Sequence, residues 1–146
     1  MSKKSSRIAA LIDGCRGQDL DPHYLGYFEC FNRGLYFEAH EVLEELWLPE
    51  RHQANGNFYR GLIQLAGAFV HLQKNRLRPA ASLFNLAETN LKKYPTVHER
   101  LEVANVLSLL GKWREKLEAT DFAENPLTTS NAPQLSLPGS QTKTNP

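Results

Sequence analysis

Phe58-Tyr59-Arg60-Gly61-Leu62-Ile63-Gln64-Leu65-Ala66-Gly67-Ala68-Phe69-Val70-His71-Leu72-Gln73-Lys74 decides how this chain folds. Asn55-Gly56-Asn57 ahead of it supplies a turn and a helix N-cap. Its apolar side chains cover so wide an arc that the segment reads as a central helix, surrounded by others. Arg60, Gln64 and His71 share the narrow polar edge that remains, together with Gly67. On the N-terminal side, Ala39, Val42, Leu43, Leu46 and Trp47 recur at helical spacing from Tyr36 to Trp47, and Pro49 is expected to end that helix near Leu48. Before it, Asp21-Pro22 is an N-cap followed by proline at the first helical position. Tyr24, Tyr27, Phe28 and Phe31 then form one face until Gly34, giving a helix over 22–33.

On the C-terminal side, Pro79 opens a helix whose stripe Ala80, Leu83, Phe84, Ala87 and Leu91 runs out at Tyr94-Pro95. Thr96 and Glu99 have capping-box spacing and are expected to open a last helix through Val103, Val106, Leu110, Trp113 and Leu117. No run of strict alternation supports a strand. The fold class is therefore all-α, a single compact bundle of about five helices over residues 20–119. Residues 1–19 form an N-terminal segment with a short helix at Arg7–Asp13. Residues 120–146, rich in Thr, Ser, Asn, Gln and Pro, are expected to be a disordered tail, because they offer too little apolar surface to offset ordering.

The chain has 146 residues, 17 Lys+Arg against 16 Asp+Glu, 41% hydrophobic residues and a net charge of +1. That balance gives no bulk electrostatic attraction to nucleic acid or to an anionic membrane. Leu62 to Val70 falls far short of the roughly 20 apolar residues a bilayer needs. The run Ile8 to Ile12 is too short for a secretory signal, and Cys15 and Cys30, without CxxC spacing, read as reduced thiols. A cytoplasmic protein is expected, with no nucleic acid or membrane partner. A homodimer or a protein partner remains open.

Chemistry concentrates on the helix at 36–47. Its apolar positions span an arc of about 140°. Glu38, Glu41 and Glu45 fall opposite that arc and read as solvated. His40 and Glu44 fall at its edge, one turn apart, where partial burial demands partners. If the polar edge at Arg60, Gln64 and His71 faces them, two readings of chemistry arise. In one, His40, Glu44 and His71 hold a divalent metal, zinc, iron or manganese, with an open position for water and hydrolysis. In the other, Arg60 and the histidines receive a small ligand or anion, with Gln64 in the pocket and Trp47 and Tyr59 as walls. A third reading is purely structural: Glu44 bonds Arg60 or His71 and the motif only locks two helices of a protein-interaction module. His40-Glu41-Val42-Leu43-Glu44 differs from a zinc-protease helix in its last position and lacks that class's further signals.

The stretch Phe31-Asn32-Arg33-Gly34, Tyr36-Phe37-Glu38-Ala39-His40 through Trp47, and Phe58 through Ala66 resembles the family called domain of unknown function 309, over roughly residues 28–95. The signature H-x-x-x-E-x-x-W corresponds to His40, Glu44 and Trp47, and His71 also matches the family pattern. The resemblance implies a compact helical domain, for which metal binding has been proposed from that signature, and attaches no reaction to it.

Overall fold

A computed structural model describes residues 3–137, with side chains from Ser6 onward. Among the described residues the elements are α1 (Lys3–Ile12), a 3-10 turn (Asp13–Cys15), α2 (Pro22–Asn32), α3 (Tyr36–Glu50), α4 (Gly56–Gln73), α5 (Leu77–Leu91), β1 (Val97–His98), β2 (Leu101–Glu102) and α6 (Val103–Ala119). The fold is all-α but for the two-stranded hairpin. No helix among the described residues is long and apolar enough to cross a membrane.

Consecutive helices pack on one another, α2 on α3, α3 on α4, α4 on α5 and α5 on α6, with α1 laid against α2 and α3. The series closes because the Phe69 ring of α4 meets a ring from each of α2, α3, α5 and α6. It lies 5.6 Å from Phe31, 5.0 Å from Tyr36, 5.4 Å from Phe84 and 5.0 Å from Trp113. The α4 helix is thus the central one that its wide apolar arc requires, and Phe58, Leu62, Leu65, Ala66 and Phe69 are all fully buried.

The expected capping signal holds at the start of α2, whereas Asn55 stands at the N-cap of α4 without a side-chain capping bond and bonds Glu99 and His98 instead. The Asp21 carboxylate accepts the His23 N–H at 2.8 Å, with Pro22 at the first position. Helix α3 runs on through Pro49 to Glu50 rather than ending near Leu48. In the last turn the missing proline N–H forfeits one bond only, and the Arg51 guanidinium caps the Leu48 carbonyl. The capping-box expectation at Thr96 is overturned: α6 starts at Val103, and residues 97–102 form an antiparallel hairpin pairing Val97 with Glu102 and His98 with Leu101. Its turn residues Glu99 and Arg100 take φ of 48° and 63°. Left-handed backbone outside glycine costs about 1–3 kcal/mol each. Tertiary bonds hold it here, since Tyr24 donates to the Glu99 carbonyl at 2.8 Å and Asn55 to its carboxylate at 2.9 Å.

Residues 121–137 contain no helix or strand, in line with their composition, yet they lie against the bundle, with Pro133 and Leu135 buried. Apolar residues at 127, 135 and 137 and side-chain amides give this stretch partners that composition does not reveal. Residues 138–146 of the expected tail lie outside the described residues.

Phe69→Ala is expected to cost about 3–5 kcal/mol, as for other buried aromatics. At Gly61 an added Cβ would lie 2.8 Å from Cγ of the buried Leu91, so α4 and α5 touch closely there. Gly61→Ala should therefore lower stability by about 1–3 kcal/mol despite the better helix propensity of alanine. Urea unfolding of both variants followed by circular dichroism checks these values.

Candidate functional site

Between α3 and α5, over α4, lies a cavity of about 280 Å³ lined by Phe37, His40, Ile63, Gln64, Gly67, Val70, His71 and Leu83. Helix α3 contributes Phe37 and His40, α5 contributes Leu83, and the rest project from one side of α4. Gly67 leaves the floor low, since only a Leu83 methyl, 3.1 Å away, comes close to where its Cβ would stand. The walls are chiefly apolar, with polar groups at His40, Gln64 and His71.

His40 stacks on Phe37 with ring centres 5.9 Å apart, and its Nε2 lies 4.0 Å from a Glu44 carboxylate oxygen. Among the described residues, Nδ1 of His40 and Nδ1 of His71 are both buried without a hydrogen-bond partner. A third such atom, the Tyr36 hydroxyl, belongs to the aromatic core beside Phe31 and Phe69, where burial pushes its pKa up to about 12. Native structures rarely leave buried polar atoms unpaired, and both of these histidines line the same cavity. Burial, then the Arg76 guanidinium and the Lys74 ammonium, hold the His71 pKa below its ordinary value of 6.5. His71 is therefore neutral at physiological pH, in a positively charged neighbourhood.

The expected site residues divide into two groups. His40, Gln64 and His71 meet at the cavity. Gln64 is fixed there by α5, its carbonyl accepting from the Asn90 amide at 2.8 Å. Glu44 flanks His40 without lining the cavity, and Trp47 and Arg60 pair with each other, the guanidinium 5.9 Å from the indole centre. Tyr59 is no wall of this site. It packs elsewhere, against Tyr24 at 6.1 Å and Phe58 at 5.8 Å, with its oxygen facing Asn55. Among the described residues, no group of three or more His, Cys, Asp or Glu side chains is placed to hold a metal ion. As placed, the cavity offers two imidazoles and an amide rather than a three-ligand set.

One further reading changes. Glu41, expected to be solvated, is 7% exposed and pairs with Arg7, because α1 crosses the face of α3 that the helix wheel leaves open. His98 lies between Phe58 and Tyr94, at 4.8 Å from each, and bonds Asn55 at 2.7 Å. Sequence reasoning also missed Leu83 as a wall. The signal was present in the short α4–α5 connection, which forces the two helices to pack side by side. Both cysteines are buried and free, and burial, then the Glu38 carboxylate, raises the Cys30 pKa to about 11.

Residues 24–83 match the model of a protein family described as Domain of unknown function (DUF309). No curated protein and no solved structure matches the chain. The matched stretch begins in α2 and ends at Leu83, so it contains every residue that lines the cavity.

His71 should titrate below 6.5 in an NMR pH series. Arg76→Gln should raise its value only part of the way back, because burial is the larger cause. The linkage has a definite sign: between the depressed folded value and 6.5 the unfolded chain binds more protons. The stabilising contribution is present above 6.5 and is lost as pH falls through the folded value.

Proposed function

We propose that the cavity between α3, α4 and α5 binds a small organic anion with a flat apolar body, held by His40 and His71. The observation that carries this reading is the gathering of His40, His71 and Gln64 in the wall of one otherwise apolar cavity. A ring or short hydrocarbon body suits walls of Phe37, Ile63, Val70 and Leu83, and a cavity of about 280 Å³ admits only a small molecule. An acceptor group on the ligand takes a ring N–H from the imidazoles, each ring adopting the tautomer that donates. Lys74 and Arg76 near His71 favour a negative charge over a positive one. Every residue that lines the cavity lies within the matched residues 24–83.

A second reading keeps the metal. The 4.0 Å approach of His40 and Glu44 on successive turns favours zinc, iron or manganese at His40 and Glu44, with His71 completing the set after a side-chain shift. A bound metal would supply Lewis acidity. In either reading α3 and α4 orient the two imidazoles, and Phe37 stacks on His40.

Titration with benzoate and 2-naphthoate, read from the imidazole resonances of His40 and His71, tests the first reading. Saturable shifts of both rings are expected. Gly67→Leu, which fills the floor and leaves both histidines in place, should weaken binding by about tenfold or more while changing stability by only about 1 kcal/mol. Shifts that survive Gly67→Leu would sink the proposal. Stoichiometric zinc, iron or manganese uptake that disappears in Glu44→Gln would establish the metal reading instead.

A further inference from the structure

Gln64 stands in the cavity wall with its amide already turned by two residues that do not line the cavity. Helix α5 comes close to α4 at Gly61, where an added Cβ would lie 2.8 Å from Leu91 and 3.2 Å from Cβ of Asn90. That approach brings the Asn90 side chain within reach of Gln64, one turn further along α4. Asn90 is 8% exposed, and a buried amide needs partners at both of its ends. Its Oδ1 accepts from the Lys93 ammonium at 3.3 Å, and its Nδ2 donates to Oε1 of Gln64 at 2.8 Å.

Which atom of an amide is oxygen and which is nitrogen follows from its partners, and here each assignment is forced by the one before. Lysine only donates, so the Asn90 atom that faces Lys93 is the oxygen. The Asn90 nitrogen then faces α4, so the Gln64 atom that meets it is the oxygen. Turning either amide over would set a donor against a donor. The Gln64 Nε2 keeps both of its hydrogens and has no partner for them among the described residues. What Gln64 offers an occupant of the cavity is therefore an N–H donor and not an acceptor. His71 stands seven residues further along the same side of α4, about 10 Å along the axis, with Arg76 and Lys74 beside it. The two ends of the cavity ask for different chemistry: a negative group at the His71 end, a neutral acceptor at the Gln64 end.

Resting on the reading that this cavity takes a small organic anion, we infer that Gln64 sets its specificity. The ligand is a flat carboxylate with a hydrogen-bond acceptor, a ring nitrogen or a carbonyl oxygen, at the end of its body opposite the carboxylate. Asn90 and Lys93 are positioning residues, which act by holding the Gln64 amide in the donating sense. An acid whose far end is apolar leaves the Gln64 N–H unpaired when it covers it, and one whose far end donates opposes it, so both bind less well.

Benzoate, isonicotinate and para-aminobenzoate share nearly one shape and differ opposite the carboxylate, where they carry a C–H, an acceptor nitrogen and a donor amine. Titrated against the full chain at neutral pH, isonicotinate should bind about three- to tenfold more tightly than benzoate. It should also shift the Gln64 side-chain N–H resonances more than benzoate does, and para-aminobenzoate should bind most weakly. A gain over benzoate for isonicotinate or for para-formylbenzoate supports the inference and tells a ring nitrogen from a carbonyl. Asn90→Asp keeps the contact with Lys93 but removes the donor, so Gln64 turns its N–H groups toward α5 and its oxygen toward the cavity. The order should then invert, with para-aminobenzoate tighter than isonicotinate. Gln64→Met should bind benzoate and isonicotinate equally, and it decides the matter if Asn90→Asp does not fold. Benzoate bound as tightly as both acceptor acids, a preference that survives Gln64→Met, or a folded Asn90→Asp that keeps the original order overturns this inference alone. Saturable binding of none of these acids overturns it together with the reading it rests on.

Discussion

A single ring, Phe69, touches rings from four other helices, and the rest of the bundle is arranged around that contact. Edge-to-face packing with Phe31, Phe84 and Trp113 and stacking on Tyr36 tie α2, α3, α5 and α6 to the middle of α4. Aromatic pairs of this kind contribute about 0.5–1.5 kcal/mol each beyond the area they bury. Four of them on one residue also set the distances between helices, since ring centres cannot approach much below 5 Å. The hydroxyls at the edge of this cluster are used as anchors. Tyr27 donates to the Leu62 carbonyl at 2.6 Å inside α4, and Tyr94 caps the Phe58 N–H at 2.9 Å.

The imidazole cavity is a consequence of the same arrangement. Helices α3 and α5 both lean on α4, and where Gly67 replaces a side chain the space above the floor stays open. The polar edge of α4 faces that opening, so Gln64 and His71 look into an otherwise apolar hollow beside His40. A bundle needing only stability would fill such a gap with one larger side chain. Two histidines and a glutamine gathered in the wall of an otherwise apolar hollow make the cavity the place to look for a ligand.

The two ends of the chain are applied to the outside of this framework. Helix α1 brings Ile8 and Ile12 into the core and Arg7 onto Glu41, while residues 121–137 bring Leu135 onto the far side of α2. Both attachments combine a few apolar contacts with a polar clamp. Residues 121–137 have the thinner hold, being without regular structure of their own, and such segments open locally well below the free energy of global unfolding.

Periodicity and capping chemistry act within a turn or two of backbone, and so the amino-acid sequence by itself determined the helices, the central place of α4, and His40 and His71 as residues of interest. The resemblance to the family pointed to the same stretch, and the family match over residues 24–83 agrees with it. Tertiary structure alone decided the rest. A helix wheel shows which face is apolar but not which neighbour covers the other faces, so Glu41 reads as solvated until α1 is laid across it. The same limit separates Tyr59 from Arg60, adjacent in sequence yet turned to different neighbours. It also governs Thr96 to Glu102, where a good local capping signal yields to bonds from Tyr24 and Asn55, and residues 133–137, whose order depends on one asparagine far away in the chain. Such contacts join residues a hundred positions apart, and no pattern confined to one helix records them.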